Sequence, residues 1–429
     1  MKEYTPSCYN IIIERNGLRL VWNTLSGAVA SLDEEVSNWL RCRGNNQLRG
    51  LVMEELVQNR IVVPVGFDEY KYVVDRARAR LNEKKPTDLN FVIAPTLRCN
   101  YSCEYCFEKG RASFSDMTQP VVDGTLRFVK KHIDDNCNLR CLHVTWFGGE
   151  PLLKLDVIDW LSTGFIALCK TRNIDYRSSI VTNARYLDSA AVERLSKDGV
   201  NRIQISFDGT EEAYCRVKHA SKEDYLATIV NLKTAAQRGM LVVMRINIRN
   251  NDFNPAYELV DLLFDKMSLS GKLKVYPAFV CEGDDDKQKS MRDGFVEGEK
   301  RFARYVYDKF SEKSYYNKLS FARGVACSLS CLNNFCIGPD GELYKCEHHF
   351  GRKGFIVGNV FSDERCRFLQ EFDSAIHAFR SKDLCKKCPI FPICLGGCPN
   401  SNFLGGRNVD CKSYIELLTE CQVRRVVQQ

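Results

Sequence analysis

Apolar residues recur with two distinct periods along this chain, and the switches between them outline its elements. Between residues 87 and 280 short apolar runs alternate with stretches of helical spacing. The runs Leu89–Ala94, Leu142–Trp146, Ser178–Thr182, Arg202–Ser206, Leu241–Ile248 and Lys272–Val280 predict strands. Between them, Gln119–Asp134, Leu155–Thr171, Ala190–Lys197 and Tyr225–Arg238 place apolar residues every three or four positions, as amphipathic helices do. Such alternation predicts an α/β fold, a parallel sheet with crossover helices. Six units of this kind build an open, partial (β/α)6 TIM barrel, with chemistry at the C-terminal ends of the strands.

The flanking segments read differently. Residues 1–85 combine strands at Asn10–Glu14 and Leu18–Asn23, joined at Asn16-Gly17, with a further strand at Arg60–Val65. Helical spacing covers Leu32–Arg41, Gln47–Gln58 and Tyr70–Lys84. This order predicts a winged-helix-like α+β module, or else an extension that only packs on the main domain. Residues 281–326 are charged and mostly helical, a linker region. Residues 327–429 are loop-rich and dense in cysteine and glycine. Lacking long apolar runs, they need another source of stability, and bound metal supplies one.

Composition narrows the classes. At 429 residues, 45% hydrophobic and 27% charged, the chain reads as a soluble multi-domain protein. It has no run of 18 apolar residues, so no membrane partner is expected. The start, MKEYTPSCYNIII, lacks the pattern of a secretory signal, which predicts a cytoplasmic protein. A net charge of +7 without a basic, aromatic-laced block gives no reason to expect nucleic acid. The 21 cysteines change the picture most. A cytosol keeps thiols reduced, so clustered cysteines there point to metal or catalysis.

The segment LNFVIAPTLRCNYSCEYCFEKG leads from the first predicted barrel strand into a loop with Cys99-x3-Cys103-x2-Cys106. Three thiolates suit three irons of a cubane cluster and leave the fourth iron open to a cosubstrate. A zinc site with a fourth ligand from elsewhere competes, although the spacing is not a usual one for structural zinc.

With its surroundings, this loop resembles the radical S-adenosylmethionine superfamily over about residues 87–280. Phe147-Gly148-Gly149-Glu150-Pro151 looks like the family's GGEP motif, which meets the methionine ammonium group. Tyr105 takes the family's aromatic position beside the adenine. Ser206 and Asp208, in QISFDG, resemble its ribose-contacting strand, and Arg245 could pair with the cosubstrate carboxylate. Asn183 ends the third strand as in the family, with Ala184 where a glycine is usual. The resemblance implies a [4Fe–4S] cluster on Cys99, Cys103 and Cys106, bound S-adenosyl-L-methionine, and its reductive cleavage to a 5′-deoxyadenosyl radical. It also implies a low-potential electron donor of flavodoxin or ferredoxin type.

Cys385-x2-Cys388-x5-Cys394-x3-Cys398, then Cys411, with Cys327, Cys331, Cys336 and Cys346 upstream, resembles the SPASM domain of radical enzymes that modify peptides and proteins. That resemblance implies two auxiliary [4Fe–4S] clusters. The first would sit on Cys327, Cys331, Cys346 and Cys398, the second on Cys385, Cys388, Cys394 and Cys411. Cys336 reads as a core thiol or as a replacement for Cys331. Glu347, next to Cys346, reads as a catalytic proton acceptor or as part of a solvent-facing EHH. The implied activity is cross-linking, epimerisation or oxidation of a ribosomal precursor peptide or protein. Anaerobic sulfatase maturation is the alternative within the class, and an iron–sulfur electron carrier the one outside the enzymes.

Overall fold

The computed structural model describes residues 3–15, 17–42, 48, 50–109, 115–280, 285–310, 312–315, 327, 331–362, 383–398, 415–416 and 419. The chain divides into two compact units. One comprises Met1–Glu83, Leu319–Cys331 and Phe372–Gln429; the other comprises Lys84–Lys318 and Leu332–Glu371. The two end segments, each read from sequence as a module of its own, thus contribute to one unit.

In that unit β2 (Asn10–Arg15), β3 (Leu18–Asn23) and β4 (Val29–Ser31) form an antiparallel sheet, while β1 (Tyr4–Pro6) pairs with β5 (Val62–Pro64). Side chains alternate across a strand, so Val21 points to one face of β3 and Leu20 and Trp22 to the other. The Val21 face packs on α1 (Glu34–Cys42) and α2 (Gly50–Gln58) through Val36, Trp39, Leu40 and Leu56. Leu20 and Trp22, with Ile13, pack on Ile390 and Ile393, flanked by Cys388 and Cys394. Burial on both faces explains the unbroken Ile11-Ile12-Ile13 run, which a half-exposed strand would not carry. A third helix, α3 (Glu69–Leu81), is capped by Asp68, which accepts from the Lys71 N–H at 2.8 Å.

The second unit is mixed α/β. Its strands β6 (Asp88–Ile93), β7 (Cys141–Trp146), β8 (Asp175–Thr182), β9 (Val200–Phe207), β10 (Leu241–Ile248) and β11 (Leu273–Phe279) lie side by side in chain order, all parallel. Helices α4 (Gln119–Asp134), α5 (Leu155–Arg172), α6 (Ser189–Lys197), α7 (Glu211–Lys218), α8 (Lys222–Gln237) and α9 (Asn254–Asp261) connect them. Leu89, Phe91 and Ile93 bury one face of β6 in a core shared with Val129 of α4 and Phe165 of α5. This is the architecture of a partial barrel.

Two sequence expectations change here. The charged segment 281–326 is more than a linker: α10 (Asp285–Lys309) inserts Phe302 and Val306 into the main core. The loop-rich reading of residues 327–429 missed three short strands. β12 (Phe335–Ile337) pairs in parallel with β6, and β13 (Glu342–Tyr344) and β14 (Gly358–Asn359) continue the same sheet. Strands of two or three residues are too short to show a period.

Candidate active site

The cysteine loop leaves the C-terminal end of β6. Its middle is pinned by the Glu104 N–H, which donates to the Val217 carbonyl at 3.1 Å, and by the Cys106 N–H, which donates to the Cys103 carbonyl at 3.1 Å. Asn183, just past β8, donates from Nδ2 to Asn100 Oδ1 at 2.8 Å. Burial pushes the Cys99 thiol up to about 12, with the Glu150, Cys103 and Cys106 charges adding to it. Burial also raises Cys103; Lys218 opposes this, and Asp208 and Cys106 reinforce it. Two thiols that are costly to ionise, sharing one short loop with a third, form a set that multivalent iron fits, because the metal reverses that cost.

The glycines after β7 serve close packing. Gly148 has φ +114°, and a Cβ there would lie 2.2 Å from the Thr96 carbonyl; one on Gly149 would lie 2.3 Å from that of Arg98. Bare backbone lets the Glu150 N–H reach the Arg98 carbonyl at 2.8 Å, directly ahead of Cys99. The Glu150 side chain is fully buried. Its Oε1 accepts from Thr182 Oγ1 at 2.7 Å and from the Leu152 N–H at 3.0 Å, and its Oε2 accepts from the Asn183 N–H at 2.8 Å. Burial raises the carboxyl and these three donors oppose the rise. The GGEP segment therefore joins the cysteine loop to the end of β8. Ala184 adopts the left-handed φ of +63° that the family's glycine would favour, a cost of about 1 kcal/mol.

At the ends of β9 and β10, Asp208 collects three partners. Tyr105 donates its hydroxyl to Oδ2 at 3.1 Å, Asn247 donates from Nδ2 to Oδ1 at 3.1 Å, and Lys218 Nζ lies 3.3 Å from Oδ2. Asn247 also donates to the Tyr105 hydroxyl at 2.8 Å. Ser206 and Arg245 are register partners on β9 and β10. The Arg245 Nε is buried with no hydrogen-bond partner among the described residues. An unmet guanidinium donor in the wall of the site suits an incoming carboxylate.

Lys218 is the residue the sequence reading missed. Its signal was the helical spacing of Ala213, Tyr214, Val217 and Lys218, all on the buried face of α7. Asn247 stands two residues beyond Arg245 on β10.

Glu347 lies in a single helical turn, Glu347–His349, after β13. In the same turn, the His348 ring stands 4.3 Å from that of Phe107, the residue after Cys106. Phe147 of the GGEP segment is 6.4 Å from Phe107 and 6.3 Å from Phe350. Aromatic contacts thus connect the cysteine loop, the GGEP segment and the Glu347 turn. Cys346 is half-buried at the start of that turn, and Cys336 is fully buried within β12.

In the first unit the Cys388 N–H donates to the Cys385 carbonyl at 3.3 Å, and Gly397 donates to that of Cys394 at 2.9 Å. Burial raises the Cys388 thiol and the Cys385 charge adds to it, the same crowding seen at the first loop. Cys327, Cys331 and Cys398 also belong to this unit, while Cys346 belongs to the other. Cys411 lies outside the described residues. At the N-terminal ends of β6 and β7, Asp88, Cys141 and His143 bring ligand atoms within 4.8 Å of one another, a candidate metal site apart from the cysteine loops.

Residues 93–263 match the radical SAM superfamily model. The chain is 24% identical over 347 residues to a cysteine-type anaerobic sulfatase-maturating enzyme of Clostridium perfringens, covering 72% of this chain and 88% of the relative. Its fold resembles that of native anSMEcpe with bound AdoMet, with a TM-score of 0.61 and 17% identity over 79% of this chain and 98% of that one. It also resembles Streptococcus suis SuiB bound to precursor peptide SuiA, with a TM-score of 0.53 and 16% identity over 93% and 96%. No helix among the described residues is long and apolar enough to cross a membrane. Residues 93–263 are thus a radical SAM superfamily domain, and the chain that carries it is a radical-SAM-type enzyme.

Proposed function

We propose that the enzyme matures a protein by abstracting hydrogen from one of its side chains. The observation that carries this reading is the convergence of the Cys99–Cys106 loop, the buried Glu150 linkage and the unpartnered Arg245 Nε. Cys99, Cys103 and Cys106 would hold a [4Fe–4S] cluster, with S-adenosylmethionine beside it. When bound, these groups would supply reductive cleavage to a 5′-deoxyadenosyl radical, with the electron coming from a low-potential flavodoxin or ferredoxin. Arg245 offers a donor to the cosubstrate carboxylate. Tyr105 and Asn247 shape the wall at Asp208, and Ser206 lines β9 next to Arg245. Glu347 accepts a proton from the substrate. Cys327, Cys331, Cys346 and Cys398, and Cys385, Cys388, Cys394 and Cys411, would hold two auxiliary clusters in a SPASM-like region.

The relatives favour anaerobic sulfatase-type maturation, the oxidation of a cysteine or serine side chain, because a sulfatase-maturating enzyme aligns over most of its own length. A second reading, modification of a ribosomal precursor peptide, is supported by the β2–β4 sheet with its helices and by the likeness to SuiB across nearly the whole chain. In that reading residues 1–85 form a winged-helix-like module that takes up a leader peptide by strand addition.

The test is anaerobic reconstitution followed by turnover. About twelve irons and matching sulfide per chain are expected from three four-iron clusters. Dithionite and S-adenosylmethionine should then yield 5′-deoxyadenosine, and a cysteine-containing sulfatase peptide should acquire an aldehyde. No aldehyde, but a cross-link in a short peptide encoded beside the gene, selects the second reading. Zinc without sulfide, or no 5′-deoxyadenosine, overturns both.

A further inference from the structure

Lys218 ends α7 with only 2% of its side chain exposed, and the Asp208 side chain beside it is equally buried. Lysine is almost never fully buried unless paired, because stripping water from an ammonium costs several kcal/mol. Three arrangements keep this one charged. Asp208 Oδ2 lies 3.3 Å from Nζ, the Tyr214 and Tyr101 ring centroids lie 5.1 and 5.9 Å from it, and the residue sits at a helix C-terminus, where the backbone dipole favours a cation. Burial disfavours the ammonium, yet Asp208 and its neighbours outweigh it and hold Lys218 well above the ordinary lysine range.

The position matters as much as the charge. The residue before Lys218, Val217, accepts the Glu104 N–H between Cys103 and Tyr105, so α7 is fastened to the middle of the cysteine loop. Asp208, which Lys218 neutralises, is the carboxylate that receives Tyr105 and Asn247. A well-packed apolar pair in their place would avoid the desolvation cost, so stability alone does not account for the pair.

We propose that Lys218 is a positioning residue of the radical site: it holds the Asp208 carboxylate turned toward Tyr105 and Asn247 and sets a positive charge beside the Cys103–Tyr105 stretch of the cysteine loop. The proposal rests on the radical-SAM reading of the cysteine loop. Two consequences separate it from a merely structural role. A nearby cation favours the reduced, more negative cluster, so its removal should lower the midpoint potential. Loss of the anchor for Asp208 should weaken S-adenosylmethionine binding by about tenfold or more, the usual cost of removing a partner that orients a binding group.

The experiment uses reconstituted, full-length Lys218→Met, Lys218→Gln and Lys218→Arg. The cluster observed is the one whose EPR signal changes when S-adenosylmethionine is added to wild type. Expected for Lys218→Met are a lower midpoint potential and at least about tenfold weaker S-adenosylmethionine binding, with Lys218→Arg restoring the potential. Should Lys218→Met fail to fold, Lys218→Gln, which can still donate to Asp208 but carries no charge, decides by the same lowered potential. Wild-type potential and affinity in the folded neutral variants overturn the proposal. A wild type with no S-adenosylmethionine-responsive cluster would instead overturn the radical-SAM reading beneath it.

Discussion

Thr182 donates its hydroxyl hydrogen to Oε1 of Glu150 across 2.7 Å, between two buried side chains. This bond and two backbone donations bind the GGEP segment to the end of β8. Glu150→Ala would strand three buried donors. A loss of about 2–4 kcal/mol is expected, read as a lower anaerobic unfolding midpoint, together with lost S-adenosylmethionine binding. The pH dependence has a definite sign. The folded carboxyl is raised above its ordinary value of 4.5, so its contribution is fully present below that value and fades as pH rises through the folded one. Glu150→Gln should remove that slope; an unchanged slope would show that Glu150 does not produce it.

Gly148→Ala should be more damaging than its one added methyl suggests. The residue has φ +114°, and the new Cβ would lie 2.2 Å from the Thr96 carbonyl, which is backbone and cannot swing away. The cost is about 2–4 kcal/mol of strain and displacement. Because Thr96 precedes Cys99 by three residues, S-adenosylmethionine affinity should fall along with stability. Equilibrium binding and thermal unfolding measured on one preparation check both.

Asp198, which caps the end of α6, lies within electrostatic reach of Asp159 on α5. Among the described residues, Asp159 Oδ1 and Asp198 Oδ2 are both buried acceptors without a donor. Burial and the Asp159 carboxylate push Asp198 up to about 8, against the opposing pull of Arg194. A proton shared between them would satisfy both oxygens. The stability it provides is complete below the ordinary Asp value of 3.8 and is lost as pH rises through about 8. Asp198→Asn supplies a permanent donor, so its melting temperature should be flatter between about pH 5 and 9 and should exceed wild type at the upper end.

Trp22 should report on the C-terminal cysteines. It packs with Ile390 and Ile393, flanked by Cys388 and Cys394. Cys388→Ser/Cys394→Ser, or iron chelation, should loosen that packing and red-shift tryptophan emission. The shift should disappear in a Trp22→Phe background; if it persists there, another tryptophan is responsible.

The barrel strands were legible because a sheet covered by helices imposes period and length together, and Leu241–Ile248 coincides with the observed β10. The first cysteine loop was legible because three cysteines share eight residues. Lys218 was not, because a single buried cation leaves no pattern beyond its place on a helix face. Asp208 stands out in sequence only through the resemblance of QISFDG to a ribose-contacting strand, but its three protein partners come from residues 105, 218 and 247, a convergence that only the fold creates. The strands after residue 334 are too brief to carry a period and owe their pairing to the open edge of β6.

The shared core of the first unit has a consequence for biogenesis. Thr24 bonds to the Pro389 carbonyl, 365 positions further along the chain. At ordinary elongation rates, roughly 20 to 70 s separate synthesis of those residues. Throughout that interval Ile13, Leu20 and Trp22 have no Ile390 or Ile393 to cover them. Nascent-chain holdases should therefore engage the amino-terminal hairpin early and release it only when the last cysteines emerge, making this unit the last part of the molecule to mature.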